Sequence, residues 1–316
     1  MRGPLPLFMR FGILAVAVAG AFTGRACAQD TPAPPAAQDE SAEPVADGDG
    51  QGQVAQVATL PSPGASGPVT NGPVAKGPSA ADKEHPLAPA LRIAQASLAH
   101  INKDIKDYSC VLVKQERIDD ELIPKEHIFL KIRHEPLSIY MVFQGPEEVK
   151  GRECLFVAGQ NNNKLIAHEG SGLVAMTVRL DPIGYLAMRG QRYPITEVGI
   201  QNLAVRLIDV AQNALQFAEC EVKFRDGNVK LSKNEKRACT VIEVMHPNPQ
   251  KHFRFHLARI AIDDELQIPI HYEAYLWPTK PGGKMILDET YTYTKLKVNQ
   301  GLTDRDFDPE NPDYNF

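Results

Sequence analysis

The 316-residue chain has a single tryptophan and only five cysteines, no two of them spaced Cys-x-x-Cys. That spacing serves small zinc sites and dithiol redox centres, so neither chemistry has a motif here. Catalytic signatures are missing too. There is no Gly-x-Ser-x-Gly, no phosphate-cradling Gly-x4-Gly-Lys, no dinucleotide fingerprint and no His-Glu-x-x-His. Ser171 lies in Glu-Gly-Ser-Gly, which reads as a turn. Paired carboxylates occur, but a chain with 39 acidic residues supplies them by chance. A basic excess is also lacking: the formal net charge is −5, which argues against nucleic acid as a partner. The apolar run at 11–22 has 12 residues, well short of the ~20 of a membrane-spanning helix.

That run sits inside residues 1–28, which read as an export signal. Arg2 and Arg10 give a positive start, and Ala26-Cys27-Ala28 supplies small residues for cleavage. A retained anchor is disfavoured by the short run, and lipid attachment at Cys27 by the absence of leucine in Gly24-Arg25-Ala26. The segment holds three of the 34 basic residues and none of the 39 acidic ones, so its removal leaves a more acidic chain. Residues 29–86 are rich in Ala, Pro, Gly and Gln and contain no aromatic residue. Such a stretch buries too little to offset the entropy of ordering and reads as a disordered linker. The expected location is therefore the periplasm or cell envelope, where disulfides persist. Four cysteines remain, Cys110, Cys154, Cys220 and Cys239, and four allow three pairings. Cys220 and Cys239 flank an expected turn at Asp226-Gly227 and are the first choice; the alternative is buried free thiols.

The folded part spans residues 87–316. Leu87, Leu91, Ala94, Leu98, Ile101 and Ile105 recur at helical spacing and predict one amphipathic helix. The stretch 108–117 follows at once with strand character, and strands are expected at 125–134, 137–144, 152–158, 164–168 and 173–180. Their connections are too short for parallel crossovers, so the pairing is antiparallel. Residues 181–199 form a loop broken by Pro182, Gly184, Gly190 and Pro194, of a length common in lids. A second helix is expected at 200–215, then strands at 219–225, 238–246, 252–262, 268–277 and 284–298. The order implies an α+β fold: a curved antiparallel sheet of about 11 strands, or incomplete β-barrel, with helices on its concave side. An apolar cavity would lie between them.

Several stretches carry a family resemblance: Glu116-Arg117, the segment around Pro136, Gly151-Arg152-Glu153, Arg179-Leu-Asp-Pro182, Pro194 with Gly199, and the ending from Leu302 to Phe316. With them the chain resembles an exported bacterial family known as domain of unknown function 1571. The resemblance covers nearly all of 87–316, and its most specific parts are the ending and Gly-Arg-Glu. It implies no activity. The expected architecture is similar to the LolA/LolB lipoprotein carriers, half-open barrels whose apolar cavity takes up acyl chains; no residue role carries over from them.

The candidate ligand-binding residues are Glu116, Arg152, Arg179 and Arg189. At a cavity mouth they would orient a ligand's polar end, arginine offering bidentate contact to an anion; the competing reading is cross-strand ion pairing on an exposed face. His252 and His256, four apart in an expected strand, could face one way, but a zinc site wants a third ligand. Asp304, Asp306 and Asp308 start like a calcium loop, but Pro309 and Asn315 break the pattern. They are expected to cap turns in a tail that docks through Phe307, Tyr314 and Phe316. No metal, cofactor or catalytic residue is expected. The chain reads as a non-enzymatic exported protein holding a lipid, an acyl chain, a lipoprotein or another apolar ligand, with 181–199 gating the entrance. The alternative is an envelope interaction or sensor module with a filled core.

Overall fold

Pro89 near the start and the apolar spacing that follows give helix α1, Ala88–Asp104, as expected. Its phase differs from the leucine stripe by about one position. Leu87, Ala90, Ser97, Ile101 and Ile105 are buried, whereas Leu91 and Leu98 are half-buried. Small residues at 90, 94 and 97 bring the helix backbone close to its neighbours, and Ser97 Oγ donates to the Gln267 carbonyl at 2.7 Å. Here the computed structural model describes residues 84–170, 176–217 and 219–316. The expected signal at 1–28, nearly all of the linker at 29–86, and positions 173–175 of an expected strand lie outside the described residues.

After α1 the chain runs through β1 (Asp107–Ile118), β2 (Glu121–Leu122), β3 (Glu126–Arg133), β4 (Ser138–Gly145), β5 (Glu153–Val157), β6 (Leu165–His168) and β7 (Thr177–Leu180). A short helix α2 (Tyr185–Met188) and a 3-10 turn (Ile195–Glu197) fill the expected loop and lead into α3 (Ile200–Ala214). Then come β8 (Glu221–Lys230), β9 (Lys236–Met245), β10 (Leu257–Asp263), β11 (Pro269–Leu276) and β12 (Ile286–Val298). The order across the sheet is β7-β6-β5-β4-β3-β1-β12-β11-β10-β9-β8, with β2 beside β1, and every pairing is antiparallel. The sheet thus has 12 strands, one more than expected through the two-residue β2, and it is open at β7 and β8 rather than closed into a barrel. The long-range β1–β12 pairing joins two local meanders.

The helices cover one face of this sheet. Helices α1 and α3 pack on each other, and α3 also meets β11. Gly199 fixes where α3 begins. Its φ is +116°, and a Cβ there would lie 2.6 Å from the Tyr108 hydroxyl and 2.8 Å from Ile132 Cδ1, a fit only glycine allows. The Tyr108 hydroxyl accepts the Ile200 N–H at 2.9 Å, tying the first turn of α3 to β1. Beneath lies the main core, including Ile101, Leu112, Leu130, Ile260 and Ile270; burying each such side chain contributes about 2 kcal/mol.

The opposite face carries a smaller core made with the chain's ending. Tyr140, Leu155, Val157 and Ile166 pack with Phe307, and Tyr314 stacks on Tyr140 at 3.8 Å between ring centres. Thr303 and Asp306 form a reciprocal cap on the 3-10 turn Asp304–Phe307, and Asp306 accepts from Lys131 Nζ at 2.8 Å. Glu153 of the Gly-Arg-Glu segment accepts from the Asn315 backbone at 3.2 Å and from the Tyr140 hydroxyl at 3.1 Å. The two most specific stretches of the sequence are therefore each other's partners. Among the described residues, no helix is long and apolar enough to cross a membrane.

Two expectations are corrected here. Asp226-Gly227 is not a turn; it lies within β8, and the chain reverses at 231–235. Gly227 faces Cys239 and Glu221 faces Met245, so Cys220 and Cys239 sit seven positions apart along the ladder. At about 3.3 Å per residue that is roughly 23 Å, far beyond disulfide reach. Cys110 and Cys154 share a row through Leu130 and Met141, three strands apart, or roughly 14 Å. All four cysteines are free thiols. His252 and His256 lie in the turn-rich connection before β10 rather than in a strand. His252 stacks on Phe217 at 3.6 Å, and His256 Nδ1 lies 2.9 Å from the His246 carbonyl.

Candidate functional site

One row of side chains on the helix-covered face shows how the site is built. Reading across the sheet it runs Glu126, Lys114, Tyr291, Tyr272, Ile260, Ile242, Phe224. The β3 and β1 end is charged, the β12 and β11 middle is tyrosine, and the β10 to β8 end is apolar. Strand periodicity places all of these on one side of the pleat.

The charged end is a buried network. Lys114, Glu116, Glu126, Asp288 and Glu289 are all under 10 % exposed. Lys114 Nζ donates to Glu116 at 3.2 Å and to Gln191 Oε1 at 2.7 Å. It also lies 2.9 Å from Glu126 Oε2, close enough for an ion pair though without hydrogen-bond geometry. Arg192 donates to Asp288 at 2.8 Å, and its backbone N–H donates to Glu116 at 3.2 Å. Tyr193 donates to Glu289 at 3.0 Å beneath the Arg206 guanidinium, which lies 3.3 Å from the ring centre. The Tyr291 hydroxyl has two carboxylates within reach, Glu116 Oε1 at 2.6 Å and Glu289 Oε2 at 3.2 Å. It owns one proton, and the shorter contact identifies Glu116 as its acceptor. Burial pushes the Glu289 carboxyl above its ordinary range despite Arg192 and Tyr193, and raises the Tyr193 hydroxyl to about 12. Buried charge is costly unless paired and bonded on this scale. The network clamps 191–193, the segment after α2, onto β1 and β12.

The apolar end is roofed by helices. Ala90 and Ala94 of α1, Leu207 and Val210 of α3, and Ile242 and Ile260 of the sheet bound an apolar cleft. It encloses about 710 Å³ of space between atoms, part of it open to solvent, of which about 60 Å³ admits the centre of a water molecule. A smaller cavity of about 510 Å³ on the same terms lies over the charged end, lined by Lys114, Glu116, Gln191, Tyr193 and Tyr291. Leu203 and Arg206 of α3 line both. At the far side the cleft shares Val210, Ala214, His246 and Phe255 with a vestibule that has about 340 Å³ for water centres. The vestibule adds Phe217, His252, Phe253 and Arg254. His246 stacks on Phe253 at 3.8 Å, and burial lowers its pKa, which keeps the ring neutral. Nothing in this lining resembles a nucleophile with its base. Among the described residues, no group of three or more His, Cys, Asp or Glu converges on a metal position.

The four sequence candidates are not brought together. Glu116 is 2 % exposed and lines the charged cavity, but its oxygens are occupied by Tyr291, Lys114 and the Arg192 backbone. It shapes the floor. Arg152 pairs with Glu169 at 3.1 Å and lies over the Phe143 ring. Arg179 is exposed on edge strand β7, and Arg189 is exposed at the end of α2. Of these four, only Glu116 lines a cavity described above. Sequence reasoning passed over Lys114, Glu126, Glu289, Tyr291 and the α3 residue Arg206. A signal existed for one of them: Lys114, like the candidate Glu116, shares strand parity with Tyr108, Cys110 and Leu112, so the period-two rule puts it on the buried face.

The family model described as "Protein of unknown function (DUF1571)" matches residues 105–316. No functionally curated protein matches the chain in sequence. Among solved structures, the lipoprotein LppX of Mycobacterium tuberculosis is similar at 14 % identity and a TM-score of 0.38, with 68 % of this chain and 98 % of that one covered. A LolA superfamily protein of Nitrosomonas europaea is similar at 11 % identity and a TM-score of 0.25, covering 68 % of this chain and 97 % of that one. Scores this low transfer neither a ligand nor a role.

Proposed function

We propose that this chain, which belongs to the DUF1571 family, is a non-enzymatic binding protein of the cell envelope that holds a lipid or similar apolar ligand between α1, α3 and the β9–β11 part of the sheet. The observation that carries this reading is the continuous apolar lining of the cleft and its opening into the aromatic vestibule. Together they offer an elongated volume of several hundred Å³, the size that small-molecule sites use, apolar in the cleft and mixed in the vestibule, where Asn213, Gln216, His252 and Arg254 stand beside Phe217 and Phe253. The driving force is burial of ligand surface at about 25 cal/mol per Å², less the cost of ordering. The cleft itself is narrow: about 60 Å³ for water centres holds a few waters at most. An acyl chain therefore enters only if α1 and α3 part from the sheet. They pack on each other, α3 is tied to β1 through Tyr108 and α1 to the Gln267 carbonyl through Ser97, so the reading requires the pair to open against these bonds. Export of the chain, by residues 1–28, belongs to the same proposal.

The test is titration of delipidated protein with a fluorescent fatty-acyl probe. Saturable uptake is expected, and Ala94→Phe, which fills the cleft from α1, lowers affinity tenfold or more without loss of folding. Absence of saturable uptake would overturn the reading. The narrowness of the cleft also favours a second reading, an interaction module whose core is filled by its own side chains. That reading predicts no uptake and a thermal midpoint lowered by Ala94→Phe, because a filled core is overpacked by the ring.

A further inference from the structure

Seven large apolar side chains are exposed among the described residues, and three of them lie in the short connection that follows β7: Ile183 at 74 %, Tyr185 at 81 % and Leu186 at 65 %. The others are Met176, before the first residue of β7, and the less exposed Val205, Phe224 and Met285. The segment is held out by its anchors. On one side β7 is paired to β6 through Thr177–Leu180. On the other, Gln191, Arg192 and Tyr193 are tied to Lys114, Asp288 and Glu289 by bonds of 2.7, 2.8 and 3.0 Å. Between them the Asp181 carboxylate accepts the Ile183 N–H at 3.0 Å, and α2 makes a single turn that ends at exposed Arg189. Arg179 is exposed beside it. From 176 to 190 the charges are Arg179, Arg189 and Asp181, a positive balance within a chain of net charge −5.

We propose that this protrusion docks the protein onto an anionic lipid bilayer, with Ile183, Tyr185 and Leu186 entering the headgroup region and Arg179 and Arg189 meeting lipid phosphates. The chemistry favours a bilayer over other occupants. Ile183, Tyr185 and Leu186 make a patch of at most a few hundred Å², whereas a stable protein interface takes about 800 Å² from each partner. A second copy of this chain meeting the same patch across a two-fold axis would bring like charges together. Tyrosine and aliphatic tips flanked by arginine match the layered polarity of a membrane surface, and arginine gains further there from the anionic leaflet. The proposal stands apart from the cleft, whose occupancy it does not require.

The experiment uses the full chain with phosphatidylcholine vesicles, with and without phosphatidylglycerol. Trp277 is the only tryptophan, so a Leu186→Trp, Trp277→Phe protein reports on the protrusion alone. Its emission is expected to shift blue and to be quenched by brominated-chain lipid on phosphatidylglycerol vesicles. Ile183→Ser with Tyr185→Ser, made in that reporter protein, should lower partitioning at least tenfold. Arg179→Gln with Arg189→Gln should lower it about as much on anionic vesicles and leave the weak binding to phosphatidylcholine unchanged. Sedimentation with vesicles but no quenching of the reporter would overturn the proposal, because binding would then come from another part of the chain. Equal binding to both vesicle types, or none, would overturn it as well.

Discussion

Tyr291→Phe removes one oxygen and almost no volume, so it isolates the electrostatics of the buried network. The hydroxyl donates to Glu116 Oε1 at 2.6 Å in a site where Tyr291 and Glu116 are 9 % and 2 % exposed. A hydrogen bond to a charged group contributes about 1.5–3 kcal/mol. Glu116 keeps Lys114 and the Arg192 N–H as partners, so its charge stays compensated and the loss belongs near the middle of that range, about 2 kcal/mol. The cavity term is negligible because the ring is unchanged. Urea unfolding at pH 7 is the assay: the midpoint should fall while the slope stays constant, since the area exposed on unfolding is the same. The comparison is Tyr314→Phe, on the opposite face of the sheet. The Tyr314 hydroxyl donates to the Asp306 carbonyl at 2.7 Å and accepts from Lys131 Nζ at 3.2 Å; the site is only half-buried and Lys131 keeps the Asp306 carboxylate, so about 1 kcal/mol is expected. A Tyr291→Phe cost below that of Tyr314→Phe would refute the reasoning, because it would mean Glu116 is not a buried charge that depends on this donor.

Three further outcomes follow from the same geometry. Glu289 has a folded-state pKa raised by burial from the ordinary 4.5, so its protonated form is favoured by folding and its contribution is lost as pH rises through the raised value. The unfolding free energy of Glu289→Gln relative to the parent should therefore grow as pH increases above 4.5, and a flat difference would contradict the burial effect. Glu273 behaves oppositely: burial opposes its charge, but His271, Arg259 and Tyr275 outweigh it and hold the carboxyl at about 2. Its stabilisation, at most about 3 kcal/mol, is present above 4.5 and lost as pH falls toward 2, and Glu273→Gln should flatten that acid limb. Finally, Cys110, Cys154, Cys220 and Cys239 should each be alkylated by iodoacetamide in denaturant without reductant, as read by peptide mass spectrometry; a disulfide-linked pair would contradict the register of β8 with β9 or of β1 with β5.

Much of the fold was legible because its signals are local. Apolar spacing marks α1 and α3, and short polar turns between alternating stretches give an antiparallel sheet with nearly the right strand count. The failures have physical causes. Asp226-Gly227 has turn chemistry, yet β8 is an exposed edge strand where glycine and aspartate lose little packing, so the pairing to β9 continues through them. In α1 the leucines are the bulkiest residues, but the buried positions are Ala90, Ser97 and Ile101, and a hydrophobicity reading underweights the two small ones. The site was less legible than the fold. Lys114 and Glu126 carry no motif and Glu116 reads as a cavity-mouth residue or as part of exposed ion pairing, and only the long-range β1–β12 pairing brings Tyr291 and Glu289 to them. Arg152, Arg179 and Arg189 were chosen for charge near expected openings; Arg152 pairs with Glu169, Arg179 is exposed on β7 and Arg189 is exposed at the end of α2. The tail was read more securely, because its aromatic residues need cover and the far face of β3 to β5 provides it.

The central claim is that the space between the helix layer and the sheet exists to hold an apolar ligand. Native mass spectrometry of the protein as purified from an exported preparation, before and after organic extraction, tests it most directly. The account predicts a mass excess that extraction removes and that Ala94→Phe diminishes. A bare polypeptide mass, in protein that also fails to take up an acyl probe, would contradict it.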